Sequence, residues 1–238
     1  MLHYETVAPN LITLLKELFS LKELDSFRLA GGTSLALQIG HRKSIDLDLF
    51  TDKIFDKRKL QKFLSEKFFS FTVIWESNDG FTSLINKYKV DFFNWHIPFL
   101  FPSINEDGLR LVDKKEIAAM KMEAITGRKE RKDFTDIAFL LKEYSLKDLL
   151  VLFKSRYPFI AHTFVLESLM AVDKADESII PEMLIPSDWN HIKDTITNTV
   201  KQYFLEQNQE IKNQQQERLR KAEELLKNKK DESRSNDR

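Results

Sequence analysis

The chain contains no cysteine, which removes disulfides and thiolate metal sites together. Neither charge is in excess. Against 37 Lys and Arg stand 37 Asp and Glu, so no overall field draws the protein to polyanions, and net charge names no partner. Long hydrophobic runs are also missing. A run such as Ile137-Ala-Phe-Leu-Leu141 falls far short of the roughly 20 residues that cross a bilayer, and no membrane span is expected. The opening Met1-Leu-His-Tyr-Glu5 lacks the basic stretch and apolar core of an export signal, so the expected location is cytoplasmic.

What is present argues for a packed interior: 42% of the residues are hydrophobic and 19 are phenylalanine. A chain of 238 residues can form one domain with a sizeable core or two small ones. Leu11, Leu14, Leu15, Leu18 and Phe19 recur at helical spacing, and predict an amphipathic helix over residues 9 to 21. Phe27–Ala30 reads as a short strand running into Gly31-Gly32, and Thr33–Ile39 as a short helix after the glycines. Ile45–Phe50 alternates as a strand does. A helix over 56 to 69 and strands at Phe71–Trp75 and Val90–Asn94 complete a mixed α+β first half.

From about residue 114 the periodicity is helical, through Ile117–Thr126, Phe134–Tyr144, Leu146–Lys154, Phe164–Ala171 and Trp189–Phe204. The loop Pro102–Gly108 is the natural division, giving a core of residues 1–108, a helical domain of 109–205 and a charged, Gln-rich tail of 206–238. The tail has too few apolar side chains to bury a face, and is expected to be a solvated helix fraying into disorder.

Three features carry chemistry. In Ile45-Asp-Leu-Asp-Leu-Phe50 strand alternation points Asp46 and Asp48 to one face and Ile45, Leu47 and Leu49 to the other. Neighbouring carboxylates repel unless a hard cation joins them, with Mg²⁺ or Mn²⁺ the fitting ions; an acidic edge strand facing water would show the same triplet. Asp91, inside the apolar run Tyr88-Lys-Val-Asp-Phe-Phe93, is a third acid that an adjacent strand could bring beside the first two. Three such acids can bind two metal ions for phosphoryl chemistry. Gly31-Gly32-Thr33-Ser34, between strand and helix, offers backbone amides and hydroxyls to a phosphate, or serves as a capped tight turn. The following His41-Arg42-Lys43-Ser44 supplies cations for phosphates or forms a solvated loop.

Lys121 shares a helical face with Ile117, Ala124 and Ile125, inside the apolar arc, and Arg128 follows two turns on. Asp133 and Asp136 share a face with Ile137 and Leu140. These charges, with Lys132, therefore point inward, either as an internal salt-bridge network or toward a substrate.

The stretch Gly31-Gly-Thr-Ser-Leu-Ala-Leu-Gln-Ile-Gly-His-Arg-Lys-Ser-Ile-Asp-Leu-Asp-Leu-Phe50 resembles the signature of the AbiEii/AbiGii toxin family of nucleotidyltransferases. The run Ile117–Ile137, with its lysine and Lys132-Asp-Phe-Thr-Asp136, is similar to that family's helical motifs. The resemblance covers roughly residues 10 to 145; the last hundred residues carry no recognisable motif. It implies a DNA polymerase β-like core, a mixed sheet with flanking helices, followed by an all-helical domain. It implies metal binding by Asp46, Asp48 and Asp91, active-site roles for Lys121 and Asp133, and Gly31, Gly32 and Thr33 near the phosphates. Ser34, Arg42, Ser44, Arg128 and Lys132 are further candidates for nucleotide contact. Gly32-Thr33 departs from the Gly-Ser usual in related transferases, though either hydroxyl can reach a phosphate.

The activity implied is Mg²⁺- or Mn²⁺-dependent transfer from a nucleoside triphosphate to an acceptor, the 3′ end of tRNA or another RNA, by the toxin of a bacterial two-gene system with a cognate antitoxin. A small molecule or a protein hydroxyl as acceptor, and a binding protein without catalysis, are the alternatives.

Overall fold

A computed structural model describes the backbone of residues 1–236 and side chains through residue 224. Seven strands form one mixed sheet: β1 (Arg28–Ala30), β2 (Leu47–Thr51), β3 (Thr72–Glu76), β4 (Gly80–Ile85), β5 (Tyr88–Asn94), β6 (Ile104–Glu106) and β7 (Leu109–Leu111), in the order β3-β4-β5-β2-β1-β7-β6. The β2–β5 and β1–β7 pairs are parallel and the others antiparallel.

One face of the sheet carries Leu29, Leu47, Leu49, Phe81, Val90, Phe92 and Leu111, packed with Leu11, Leu15 and Leu18 of α1 (Pro9–Phe19) and with Leu60 and Leu64 of α3 (Lys57–Lys67). Pro9 opens α1, where its missing N–H costs nothing, and Asp56 caps α3 by accepting from the Lys59 amide at 3.0 Å. The helix α2 (Gly31–Ile39) contributes Leu35 to a second core with Ile117, Met122 and Ile125 of α4 (Lys114–Gly127), and with Phe134 and Ile137 of α5 (Arg131–Leu140). Into the same core pack Leu149 and Phe153 of α6 (Leu146–Arg156), Val165 and Leu169 of α7 (His162–Met170), and Ile192 and Ile196 at the start of α8 (Trp189–Asn236). The result is the expected mixed α+β core with a helical second half. No helix among the described residues is long and apolar enough to cross a membrane.

Several expectations shift in detail. The helix after the glycines begins at Gly31 itself, and β2 begins only at Leu47. Ile45 therefore lies before the strand and is 71% exposed, not packed with Leu47 and Leu49. Strand β4 escaped the alternation test because it is buried on both faces, Phe81 and Ser83 on one and Thr82 on the other. The division near residue 108 falls at the turn between β6 and β7, so residues 109–111 belong to the sheet. The Gln-rich stretch continues α8 as far as Asn236, and the expected fraying end lies outside the described residues.

Gly40 ends α2 at φ +70°, and a β-carbon there would stand 2.7 Å from His3 Nδ1. Gly127 ends α4 in open space. In urea denaturation, Gly40→Ala should therefore lower stability by about 1–3 kcal/mol, whereas Gly127→Ala should raise it by about 0.4–1 kcal/mol; equal effects would contradict this reading.

Candidate active site

The site is built where β2 lies between β1 and β5. In the parallel β2–β5 register Asp48 is the direct partner of Asp91, and on the other side Asp48 faces Ala30, the last residue before the glycines. Leu47, Leu49 and Val90 are locked into the core behind the sheet, so alternation forces both carboxylates onto the opposite face. Asp46 sits just before β2, half-buried. The structure thus brings two of the three expected acids together. Among the described residues, no three His, Cys, Asp or Glu side chains converge as a metal-binding group, though the charge of Asp46 reaches both Asp48 and Lys89.

The pair is short of partners. Asp91 Oδ1 is buried without any hydrogen bond, while its other oxygen accepts from Lys89 Nζ at 2.9 Å. Burial, and then the neighbouring Asp91, push the Asp48 carboxyl up to about 6. A buried acceptor with no donor beside a second carboxylate suits a hard divalent cation, so these two residues fit the metal that the acid pattern suggests. Lys89 was not anticipated. Burial opposes its charge, but Asp91, Asp48 and Asp46 raise its pKa overall. Its signal in the sequence was its place two residues before Asp91, on the same strand face.

The glycine pair fits closely against this acid. Gly31 has φ +62°, and a β-carbon there would overlap the Asp48 carboxylate. A β-carbon on Gly32 would strike the Arg42 guanidinium. Only bare backbone can lie between the acid and the guanidinium. Thr33 Oγ1 donates to the Asp46 carbonyl and is hydrogen-bonded to Ser44 Oγ at 2.8 Å, tying the turn to the entrance of β2. Ser34 is buried, its hydroxyl beside Gln38 and the Val112 carbonyl.

Behind the turn lies a buried charge network. Asp136 accepts from Arg42 through Nε at 2.7 Å and Nη2 at 2.8 Å, from His41 Nε2 at 2.7 Å, and pairs with Lys121 Nζ at 2.7 Å. Lys121 also donates to Asp133 Oδ1 at 2.7 Å, and Arg128 Nε reaches Asp133 Oδ2 at 2.8 Å. Burial alone would raise the Asp136 pKa, yet Arg42 and Lys121 hold it well below the usual carboxylate range. Burial likewise opposes the charge of Lys121, and Asp136 and Asp133 outweigh it. Burial lowers the His41 pKa.

The internal network posed by the sequence is thus present, with two residues gained and one lost. Arg42 and His41 belong to it, whereas Lys132 pairs with Glu130 at 2.9 Å. Arg42 and Lys121 are committed to aspartates in this structure. Arg128, also paired with Asp133, keeps a half-exposed side chain and feels the charge of Asp48.

The fold has relatives among solved structures. JHP933 from Helicobacter pylori superposes with a TM-score of 0.51 at 16% identity, covering 90% of this chain and 96% of that one. A second H. pylori structure, of a candidate nucleotidyltransferase, gives 0.50 at 16% identity over 80% of this chain and 90% of its own. In sequence, the uncharacterised protein aq_aa25 of Aquifex aeolicus is 33% identical over 196 residues, 80% of this chain and 94% of that protein. Residues 13–72 match the family model of the nucleotidyl transferase AbiEii toxin of type IV toxin–antitoxin systems. The chain belongs to the AbiEii nucleotidyltransferase toxin family, and family and fold together support nucleotidyl transfer as its activity.

Two outcomes follow from the charges. Because Asp48 has a pKa raised to about 6 in the fold against 3.8 ordinarily, the native state holds an extra proton between those values, and stability falls as pH rises through that window. The melting temperature of the metal-free wild type should therefore drop relative to Asp48→Asn between about pH 4 and pH 7; parallel curves would show that the pair does not repel. Asp136→Ala leaves Arg42 and Lys121 with a lost partner in the interior, and should cost about 3–5 kcal/mol by chemical denaturation.

Proposed function

We propose that the protein is an Mg²⁺- or Mn²⁺-dependent transferase that moves a nucleotide from a nucleoside triphosphate to the 3′ end of an RNA, with tRNA the favoured acceptor. In this reading it is a cytoplasmic toxin restrained by a cognate antitoxin. The observation that carries the proposal is the register pairing of Asp48 with Asp91 beside the Gly31-Gly32 turn.

Asp48 and Asp91 would hold the metal, with Asp46 at the strand entrance as the further ligand. Bound there, the divalent ion would offset the charge of the triphosphate and of departing pyrophosphate. Gly31 and Gly32, bare against Asp48 and Arg42, would set the backbone amides at the N-terminus of α2 close to the acid pair, where they can donate to phosphate oxygens, and Thr33 and Ser44 hold that turn in place. Asp91, with Oδ1 unpartnered, is set to accept the hydrogen bond, and then the proton, of the attacking 3′-hydroxyl. The hydroxyl oxygen bonds to the α-phosphorus as the bond to the bridging oxygen breaks. Arg128 faces the phosphates, and Lys121 and Asp133 act one layer behind it by fixing its position. Catalysis of this kind is mainly positioning and charge stabilisation.

The test is incubation with Mg²⁺, each labelled nucleoside triphosphate and total bacterial RNA, beside Asp46→Ala/Asp48→Ala. Label should enter RNA and fall by at least about a hundredfold in the variant. Label confined to protein would replace the RNA acceptor with a protein hydroxyl; Mg²⁺–triphosphate binding without label in either would point to a small-molecule acceptor. An equally active variant would end the proposal.

A further inference from the structure

On the same sheet face as the acids, and on the side away from the glycine turn, lies a pair of aromatic rings that the phosphate-binding elements do not use. At one register the sheet reads Ala30, Asp48, Asp91, Thr82, Trp75, across β1, β2, β5, β4 and β3. Trp75 owes its place to a bulge. Val73 pairs with Ser83, but the next pair is Trp75 with Thr82, one residue being added between them. Val73 packs on the buried core behind the sheet. By simple alternation Trp75 would follow it there; the extra residue turns it onto the face of Thr82 and Asp91 instead.

A tryptophan placed this way is 55% exposed on an edge strand. It does not stand alone. The half-buried Phe93 lies 5.8 Å from it between ring centroids, the planes 33° apart. Phe93 reaches across the neighbouring strand because its partner there is Gly80; a β-carbon at 80 would stand 2.8 Å from the Phe93 ring. Bulge and glycine together present two flat faces, Phe93 two residues along β5 from Asp91 and Trp75 two strands away, a span of about 10 Å.

The helix α3, packed on the opposite face of this edge of the sheet through Leu60 and Leu64, is strongly basic. It carries Lys57, Arg58, Lys59, Lys62 and Lys67 against the single acid Glu66. It is pinned beside β3 by Glu76, which pairs with Lys57 Nζ at 3.1 Å and accepts from Gln61 at 2.9 Å. Arg58, Lys59, Lys62 and Lys67 are exposed. Planar apolar faces at an open sheet edge, with cations on the helix just around that edge, match unpaired nucleobases on a phosphate backbone that wraps the edge. With the triphosphate on the glycine side of the acids, the attacking strand must enter from the Asp91 side, where these rings lie.

We infer that Trp75 and Phe93 form a stacking platform for the unpaired bases at the 3′ end of a single-stranded RNA acceptor, with the cations of α3 along its backbone. This rests on the transferase reading for the direction of entry, but the binding itself is measurable without turnover. The probe is a 5′-fluorescein ten-nucleotide single-stranded RNA and its blunt duplex, titrated by anisotropy with full-length wild type, Trp75→Ala and Trp75→Phe. Mg²⁺ affinity for a non-hydrolysable triphosphate is measured alongside, and thermal melts confirm each fold.

Trp75→Ala should weaken single-strand binding about tenfold or more, leaving duplex and triphosphate affinity unchanged, while Trp75→Phe stays close to wild type. Single-strand affinity equal to wild type in Trp75→Ala, an equal loss for duplex or triphosphate, or a wild type that binds no single-stranded RNA would each overturn the platform. If the expected binding losses appear and wild type transfers no nucleotide to RNA, the platform stands and the transferase reading falls.

Discussion

Asp136 is a buried carboxylate on which two parts of the chain converge: Arg42 and His41 from the segment after α2, and Lys121 from α4. A buried ion pair is not a cheap source of stability, since desolvating the charges offsets most of their attraction. What it does provide is geometry. The bidentate grip on Arg42 holds that guanidinium against Gly32, and Gly32 adjoins the residue lying under Asp48. This carboxylate is therefore a buried polar link between the helical half and the acid-bearing strands, added to the packing of Leu35 and Phe50 against the helices. Asp133, joined to Lys121 and Arg128, extends the same connection toward the solvent side.

The aspartates fall into two kinds by the company they keep. Asp133 and Asp136 are surrounded by cations, which hold their pKa values down, and their bonding capacity is spent inside the protein. Asp48 and Asp91 are set against each other. Lys89 answers only one oxygen of the pair, another oxygen has no partner, and Asp48 is pushed toward the protonated form. Such a deficit raises the free energy of the empty site and lowers that of a cation-loaded one. The same residue type is structural in one layer and available for chemistry in the next, and the difference is local charge.

Much of this was legible before the structure. The alternation around Asp46 and Asp48, the glycine turn and the misplaced polarity of Lys121 all depend on short-range periodicity, which is set by neighbours within a turn or a strand. Less legible was anything that depends on a partner distant in the chain. The pairing of Asp91 with Asp48 crosses more than one element, and the sequence supplied the candidate but not the register. From the sequence Lys132 belonged to the inward network and Arg42 to a segment facing phosphates or solvent; in space Arg42 meets Asp136 and Lys132 meets Glu130. The third acid, Asp46, shares the local pattern with Asp48 yet lies outside the strand, because β2 begins one residue after it.

By itself, the sequence determined the family, the mixed core with a helical second half, and the residue types at the site, because each is written in contiguous motifs whose spacing follows the helix or strand repeat. The tertiary structure decided which of those residues meet. It chose Asp91 as the neighbour of Asp48 through a parallel register, committed Lys121 and Arg42 to buried aspartates, and turned Trp75 onto the acid face through one added residue. Register and bulges are settled by packing across the whole sheet, where a shift of one residue exchanges its two faces, and no local pattern carries that information.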